Sequence, residues 1–329
     1  MKRRDFMAIV GGAAATWPFA ANAQQQVRVA RIGYLSFGTA AAAASRVEAL
    51  RAGLRDLGYV EGKTIVIEFR FADGVDRLRE LATELVGSNV DVIFATSSTE
   101  VEAARQATET IPIVFATHAD PVGTGHVASL ARPGGNITGL AVLQTEFIGK
   151  GLGLLKEIAP HATRIGVLSS PTAPSHIPNL KAIEVAAAQL KVQLQLAPIQ
   201  AREDFERALS MMAQEGVGAV IVFATALTVR GRDAPALLAE LALKHRLPSM
   251  FGARDNVVAG GLMSYSPNHL DLTRQAATYV DKILEGTKPT GLPVQQATRF
   301  ELVLNLKTAK ALGLTITPFM LAQADEVIE

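Results

Sequence analysis

The sequence contains no cysteine. That absence excludes disulfides, a thiolate nucleophile, cysteine metal sites and a cysteine-linked lipid anchor. Aromatic residues make up 5% of the chain, and its single tryptophan, Trp17, falls within the first 23 residues, leaving the rest with none to stack on a sugar ring. Neither sign of charge is in marked excess. The net charge is +1, and no Lys/Arg cluster stands out beyond the N-terminus, so the basic field that nucleic-acid binding requires is absent. No segment after the N-terminus approaches the roughly eighteen consecutive apolar residues of a membrane span, so no stable membrane insertion is expected. The 6 histidines are scattered at unrelated positions without metal or triad spacing. Ser36-Phe37-Gly38 lacks the first glycine of a nucleophile elbow because residue 34 is tyrosine. No catalytic constellation, metal site or cofactor is therefore expected.

What is present begins with Lys2, Arg3 and Arg4 before a modestly apolar run, Phe6 to Ala15, and a small-x-small site at Ala21-Asn22-Ala23. These are the parts of an export signal, residues 1–23, cleaved after Ala23. Arg3-Arg4-Asp5-Phe6-Met7 fits a twin-arginine signal, and an ordinary Sec signal stays open. Cleavage removes Lys2, Arg3, Arg4 and Asp5, a net +2, and takes the chain from +1 to −1. A periplasmic location is expected.

Residues Val92 to Asp120 read as strand, turn, helix, strand, with both strands ending in small polar residues. Short apolar runs of this kind suit a parallel sheet covered on both faces, whose ligands meet the carboxyl ends of the strands. The pattern recurs. RIGYLS at Arg31 matches RIGVLS at Arg164, VIFAT ending at Thr96 matches VIVFAT ending at Thr225, and IPIVFA from Ile111 matches LPSMFG from Leu247, at offsets of 133, 129 and 136 residues. Three matches in one order indicate duplication, hence two Rossmann-like α/β lobes with parallel sheets. The expected division is 27–143 plus 268–290 for the first lobe and 146–265 plus 295–329 for the second. Several crossings between lobes make a hinge rather than a tether. Pro121 suits the first turn of a helix, and Val294 to Leu304 reads as one second-lobe strand.

With these residues in view, the chain resembles periplasmic solute-binding proteins of ABC transporters, in the branch akin to the tryptophan-binding TrpX type. The likeness rests on Gly53 to Tyr59 (GLRDLGY), Thr117 to Gly123 (THADPVG), Leu130 to Gly139 (LARPGGNITG), Leu262 to Ser266 (LMSYS) and Asn305 to Lys310 (NLKTAK). It covers essentially the whole chain after the signal. The resemblance implies a type I binding-protein fold, no catalysis, a small ligand such as an amino acid enclosed between lobes, and an ABC permease at the inner membrane as partner.

Strand ends supply the candidate ligand contacts. Ser36, Thr96, Ser97, Ser98 and Thr117 lie at the tips of the first lobe, and Ser169, Ser170, Thr225, Arg254 and Asp255 at the matching tips of the second. Ser97, Ser98 and Thr117 are expected to hold an acid group, although Ser97 to Glu100 also fits an S-x-x-E capping box. Asp120 suits a ligand ammonium or a turn before Pro121. Phe37 and Tyr265 suit apolar walls or core. Arg254 and Asp255 also suit a surface ion pair. Two other classes stay open. Gly123 to Ala128 fits G-x-G-x-x-A, the basis of a nucleotide-cofactor enzyme, but follows the wrong strand. A sugar-responsive regulator shares the fold but would carry a DNA-binding helix pair at the N-terminus.

Overall fold

The computed structural model describes residues 29–231 and 233–329, so the expected export signal, residues 1–23, lies outside the described residues. The first lobe is built on β1 (Ala30–Phe37), β2 (Ile65–Ala72), β3 (Val92–Ala95), β4 (Ile113–His118) and β5 (Ile137–Ala141), with helices α1 (Ala40–Asp56), α2 (Val75–Gly87) and α3 (Ser98–Ala107) between the first four. The chain then crosses over. Helix α4 (Gln144–Ile158) opens the second lobe, followed by β6 (Arg164–Ser169), α5 (His176–Leu190), β7 (Gln193–Pro198), α6 (Asp204–Gln214), β8 (Ala219–Val222), α7 (Ala226–Arg230), α8 (Ala234–Lys244), β9 (Ser249–Phe251), α9 (Arg254–Val258) and β10 (Met263–Ser266). It returns for α10 (His269–Leu284) and β11 (Gln295–Gln296). It crosses a third time to β12 (Glu301–Asn305), α11 (Leu306–Leu312), α12 (Pro318–Gln323) and β13 (Glu326–Ile328).

The strand orders are β11-β5-β4-β3-β1-β2 and β13-β12-β10-β9-β8-β6-β7. Five strands of each sheet, 5-4-3-1-2 and 10-9-8-6-7, therefore follow one plan, all parallel, as the sequence repeats require. All residues of β3 and β8 are buried, because helices cover both faces of each sheet. β2 and β7 are sheet edges and carry the half-exposed, alternating sequences IVIEFRFA and QLQLAP.

Helix α1 presents Ala43, Val47, Leu50 and Leu54 along one buried face. Its partner is α10, whose Leu272, Ala276, Val280 and Ile283 complete the same core cluster. The two backbones nearly touch. A Cβ on Gly53 would lie 2.3 Å from the carbonyl of Arg274, so this helix pair depends on a glycine at that position.

Three expectations need correction. Residues 121–128 form turns rather than a helix. Asp120 Oδ1 accepts the N–H of Gly123 at 2.8 Å, and the compact turn that results also deprives the G-x-G-x-x-A run of the helix N-terminus a pyrophosphate would need. The stretch 294–304 is two strands, not one. Gln295 and Gln296 pair with β5 in the first sheet, and only Glu301–Asn305 joins the second, antiparallel to β10. Residues 295–296 thus sit with the first lobe, and the third crossing falls between Gln296 and Glu301.

Candidate functional site

The carboxyl ends of the parallel strands shared by both sheets face a cleft between the lobes. It has an inner cavity of about 40 Å³ and an outer chamber of about 290 Å³, which share Thr99, Ala173, Thr225 and Ala226 on their walls. The inner volume admits a few water molecules but no amino acid, so the lobes stand close together.

What draws them together is buried charge. Glu100, in the first turn of α3, is fully buried. Its Oε1 accepts from Phe37 N at 2.9 Å and Thr96 Oγ1 at 2.6 Å, and its Oε2 from Ser97 Oγ. From the second lobe, Arg230 at the end of α7 reaches across. Its Nη2 lies 3.5 Å from Glu100 Oε1 and donates to Ser97 Oγ, while its Nε has no partner among the described residues. Burial raises the carboxyl pKa of Glu100, but Arg230 and the three hydrogen bonds outweigh it and hold that pKa below the usual range. A second ion pair joins the lobes at Arg46 Nη2 and Asp255 Oδ2, 2.7 Å apart.

The sequence candidates separate into groups. Ser97, Ser98, Thr117 and Thr225 line the inner cavity, beside Phe147 and Arg230. Phe37, Ser170 and again Thr225 line the outer chamber. Ser36 and Thr96 lie behind the wall, bonded to Phe37 O at 3.1 Å and to Glu100. Ser169 is buried at the end of β6 and lines neither space. Asp120 is spent on its turn. Arg254 makes a two-pronged pair with Glu326, both bonds 2.6 Å, and with Asp255 borders a separate depression of about 420 Å³. Tyr265 packs among Phe147, Phe300 and the ammonium of Lys150, away from the inner cavity.

Ser97 does not make the capping box its spacing suggested. It stands at the N-cap of α3, but its hydroxyl turns to the Glu100 carboxylate instead of a backbone N–H, so the first turn of the helix has no side-chain cap. The capping box forms instead at Thr225 and Thr228 of α7.

Sequence reasoning missed Glu100, Arg230 and a buried histidine pair. Ser98 Oγ lies 3.2 Å from His118 Nδ1, His118 Nε2 lies 2.6 Å from His126 Nδ1, and His126 Nε2 lies 2.8 Å from Glu102 Oε2. Burial, then the neighbouring His126, holds His118 far below its usual pKa. Burial also lowers His126, against the pull of Glu102. Spacings of 8 and 24 residues between the partners give no periodic signal that a sequence could display.

The profile of the ABC transporter substrate binding protein family matches residues 35–328. A tyrosine-binding protein of Clostridioides difficile (strain R20291) is 26% identical over 262 residues, covering 79% of this chain and 74% of that protein. Among solved structures, a conserved domain protein from Vibrio cholerae is 28% identical, with TM-score 0.85, covering 91% of this chain and all of that one. An ABC domain from Streptococcus pneumonia in complex with L-Trp is 23% identical at TM-score 0.83, with the same coverage. A two-lobed parallel fold with polar strand ends facing a cleft, and a family profile that spans nearly all the described residues, place this chain among the ABC transporter substrate-binding proteins.

Proposed function

We propose that the cleft captures an amino acid, with an aromatic side chain preferred, outside the cytoplasm and delivers it to an ABC permease. The observation that carries this reading is the meeting of an uncapped helix N-terminus, that of α3, with the buried Arg230 at the inner cavity. Free N–H groups and a guanidinium suit a ligand carboxylate, with the helix dipole adding roughly 0.3–1 kcal/mol. Phe147 offers an apolar wall, and the tyrosine- and tryptophan-binding relatives support an aromatic side chain against it. Ser97, Ser98, Thr117 and Thr225 are the proposed inner contacts, with Phe37 and Ser170 at the mouth.

Entry requires the lobes to part, since a drug-sized ligand needs roughly 300 Å³ or more. Contacts to both lobes then favour the closed form by differential affinity. A dissociation constant near 1 μM, about 8 kcal/mol, suits the task. Export through residues 1–23, with cleavage after Ala23, completes the reading. Titration calorimetry against the twenty amino acids, with mass spectrometry of whatever ligand survives gentle purification, tests it. A sugar or nucleotide as the retained ligand, with no heat from any amino acid, defeats it. N-terminal sequencing of the periplasmic protein tests the cleavage site.

A further inference from the structure

The chain of bonds behind Ser98 fixes where every proton in it must sit. At the outer end, Glu102 is held down to about 2, first by Arg105, against burial, and then by His126, so its carboxylate only accepts. The 2.8 Å contact therefore requires the hydrogen on His126 Nε2. In the neutral ring this leaves His126 Nδ1 as a bare acceptor, and the hydrogen of the 2.6 Å contact belongs to His118 Nε2. His118 Nδ1 is then an acceptor as well.

The inner end gives the same answer independently. The backbone N–H of Asp120 donates to His118 Nδ1 at 3.2 Å, and a backbone amide cannot reverse its role. His118 Nδ1 must be unprotonated on that ground alone, so in its 3.2 Å contact the Ser98 hydroxyl can only be the donor, sharing the ring lone pair with the Asp120 amide. Ser98 Oγ takes the N–H of Ala119 at 3.0 Å and keeps one lone pair. Thr117, on the same wall, is committed in the same direction, since its hydroxyl donates to the carbonyl of Thr96 at 2.8 Å. Both residues line the inner cavity, and each hydroxyl directs its hydrogen to a partner in the wall.

We infer that Ser98, with Thr117 beside it, forms an acceptor-only subsite that recognises the ammonium group of the ligand rather than its carboxylate. The sequence had suggested the opposite role, an acid group held by these hydroxyls. Hydroxyls taken singly permit that reading, and the relay through His118, His126 and Glu102 removes it. The carboxylate is left to N–H donors, those of α3 and Arg230. The inference deepens the proposed amino-acid function and rests on it for the identity of the donor, whereas the proton assignment stands without it.

Two measurements on the full mature protein decide the matter. Long-range ¹H–¹⁵N correlation spectra of histidine-labelled protein at neutral pH are expected to show His118 and His126 both as Nε2–H tautomers. A hydrogen on Nδ1 of His118 overturns the inference whatever the ligand is.

The second compares three probes: L-tyrosine, tyramine, which lacks the carboxylate, and 3-(4-hydroxyphenyl)propionate, which lacks the ammonium. Ser98→Ala is expected to weaken L-tyrosine and tyramine about ten- to a hundredfold, in keeping with a bond to a charged group. The propionate should bind Ser98→Ala as it binds the unaltered protein. Equal weakening of all three probes overturns the subsite, because that is what a merely disturbed cavity produces. If calorimetry selects another amino acid, the same three-way set is built on that one; if the unaltered protein binds no amino acid, the amino-acid reading fails, and the spectra alone decide whether the wall is acceptor-only.

Discussion

The two lobes share a strand plan but not a polar interior. At the strand ends of the first lobe, Thr96, Ser97 and the N–H of Phe37 converge on a fully buried carboxylate, Glu100. The corresponding place in the second lobe is occupied by α7, where Thr225 caps its own helix and Arg230 points outward to the other lobe. Duplication supplied two copies of one scaffold, and divergence placed the buried acid in one and the cation that answers it in the other. Closure here is a charge match between unlike halves rather than a meeting of like surfaces.

Removing one side of that match should have the largest effect. Arg230→Met leaves Glu100 buried without a counter-charge and is expected to destabilise the protein by about 3–5 kcal/mol. Glu100→Gln keeps the hydrogen-bonding shape and lets Arg230 reach water when the lobes part, so its cost should be smaller. Urea unfolding of both variants checks the asymmetry, and equal losses would show that the lobes share the charge evenly. Glu100 is ionised in the fold below its usual pKa. Its stabilisation is therefore present above about pH 4.3 and fades as pH falls further.

Acid should separate the lobes next. His118 and His126 are held below the usual histidine value, so the unfolded chain takes up protons first and stability falls as pH drops below about 6.5. The slope approaches about 1.4 kcal/mol per pH unit for each fully shifted histidine. His269, at the junction between lobes, is pushed down to about 4, by burial and then by Arg46, and contributes with the same sign. In the second lobe His176 is also lowered, by burial alone. Urea midpoints at pH 7 and pH 5 should show His118→Asn flattening the pH dependence more than His176→Asn does. The reverse ranking would place the acid-sensitive centre in the second lobe.

Gly38 tests the contact between the lobes with less damage to either one. It follows β1 with φ +94°, and a Cβ there would sit 2.0 Å from the carbonyl oxygen of Arg230 across the cleft. Gly38→Ala should cost about 1–2 kcal/mol in stability for the left-handed backbone. It should also weaken ligand binding at least about tenfold, near 1.4 kcal/mol, by blocking closure. Calorimetry that finds unchanged affinity would mean the bound form is more open. The smallest effect is expected from Arg46→Ala. Asp255 is 41% exposed, and solvent screening limits the pair to about 1 kcal/mol or less, read as a modest rise in the ligand-free radius of gyration by X-ray scattering.

Much of the scaffold was legible because it is periodic. The RIGYLS and RIGVLS strands became β1 and β6 at the same position in each sheet, and small polar residues at the ends of β3, β4 and β8 do reach the cleft. What escaped detection depends on distance along the chain rather than pattern. Arg230 and Ser97 are 133 residues apart, and α7 is a five-residue helix too short to declare a face. The two-residue strand β11 owes its existence to the edge of β5 rather than to its own Gln-Gln sequence. Hydroxyl direction is likewise invisible to sequence. Thr117 and Ser98 were located correctly at strand and helix ends, while the partners that orient their hydrogens come from Thr96 O and His118.

The pairing of α1 with α10 also sets an order in time. The two helices lie side by side, yet α10 begins at His269, after all the parallel strands of the second sheet from β6 to β10 have been made. A ribosome halted at residue 268 would hold a half-built first lobe with Leu50 and Leu54 facing water. Neither half can be finished before most of the other exists, so the protein must acquire its shape late in synthesis or after release.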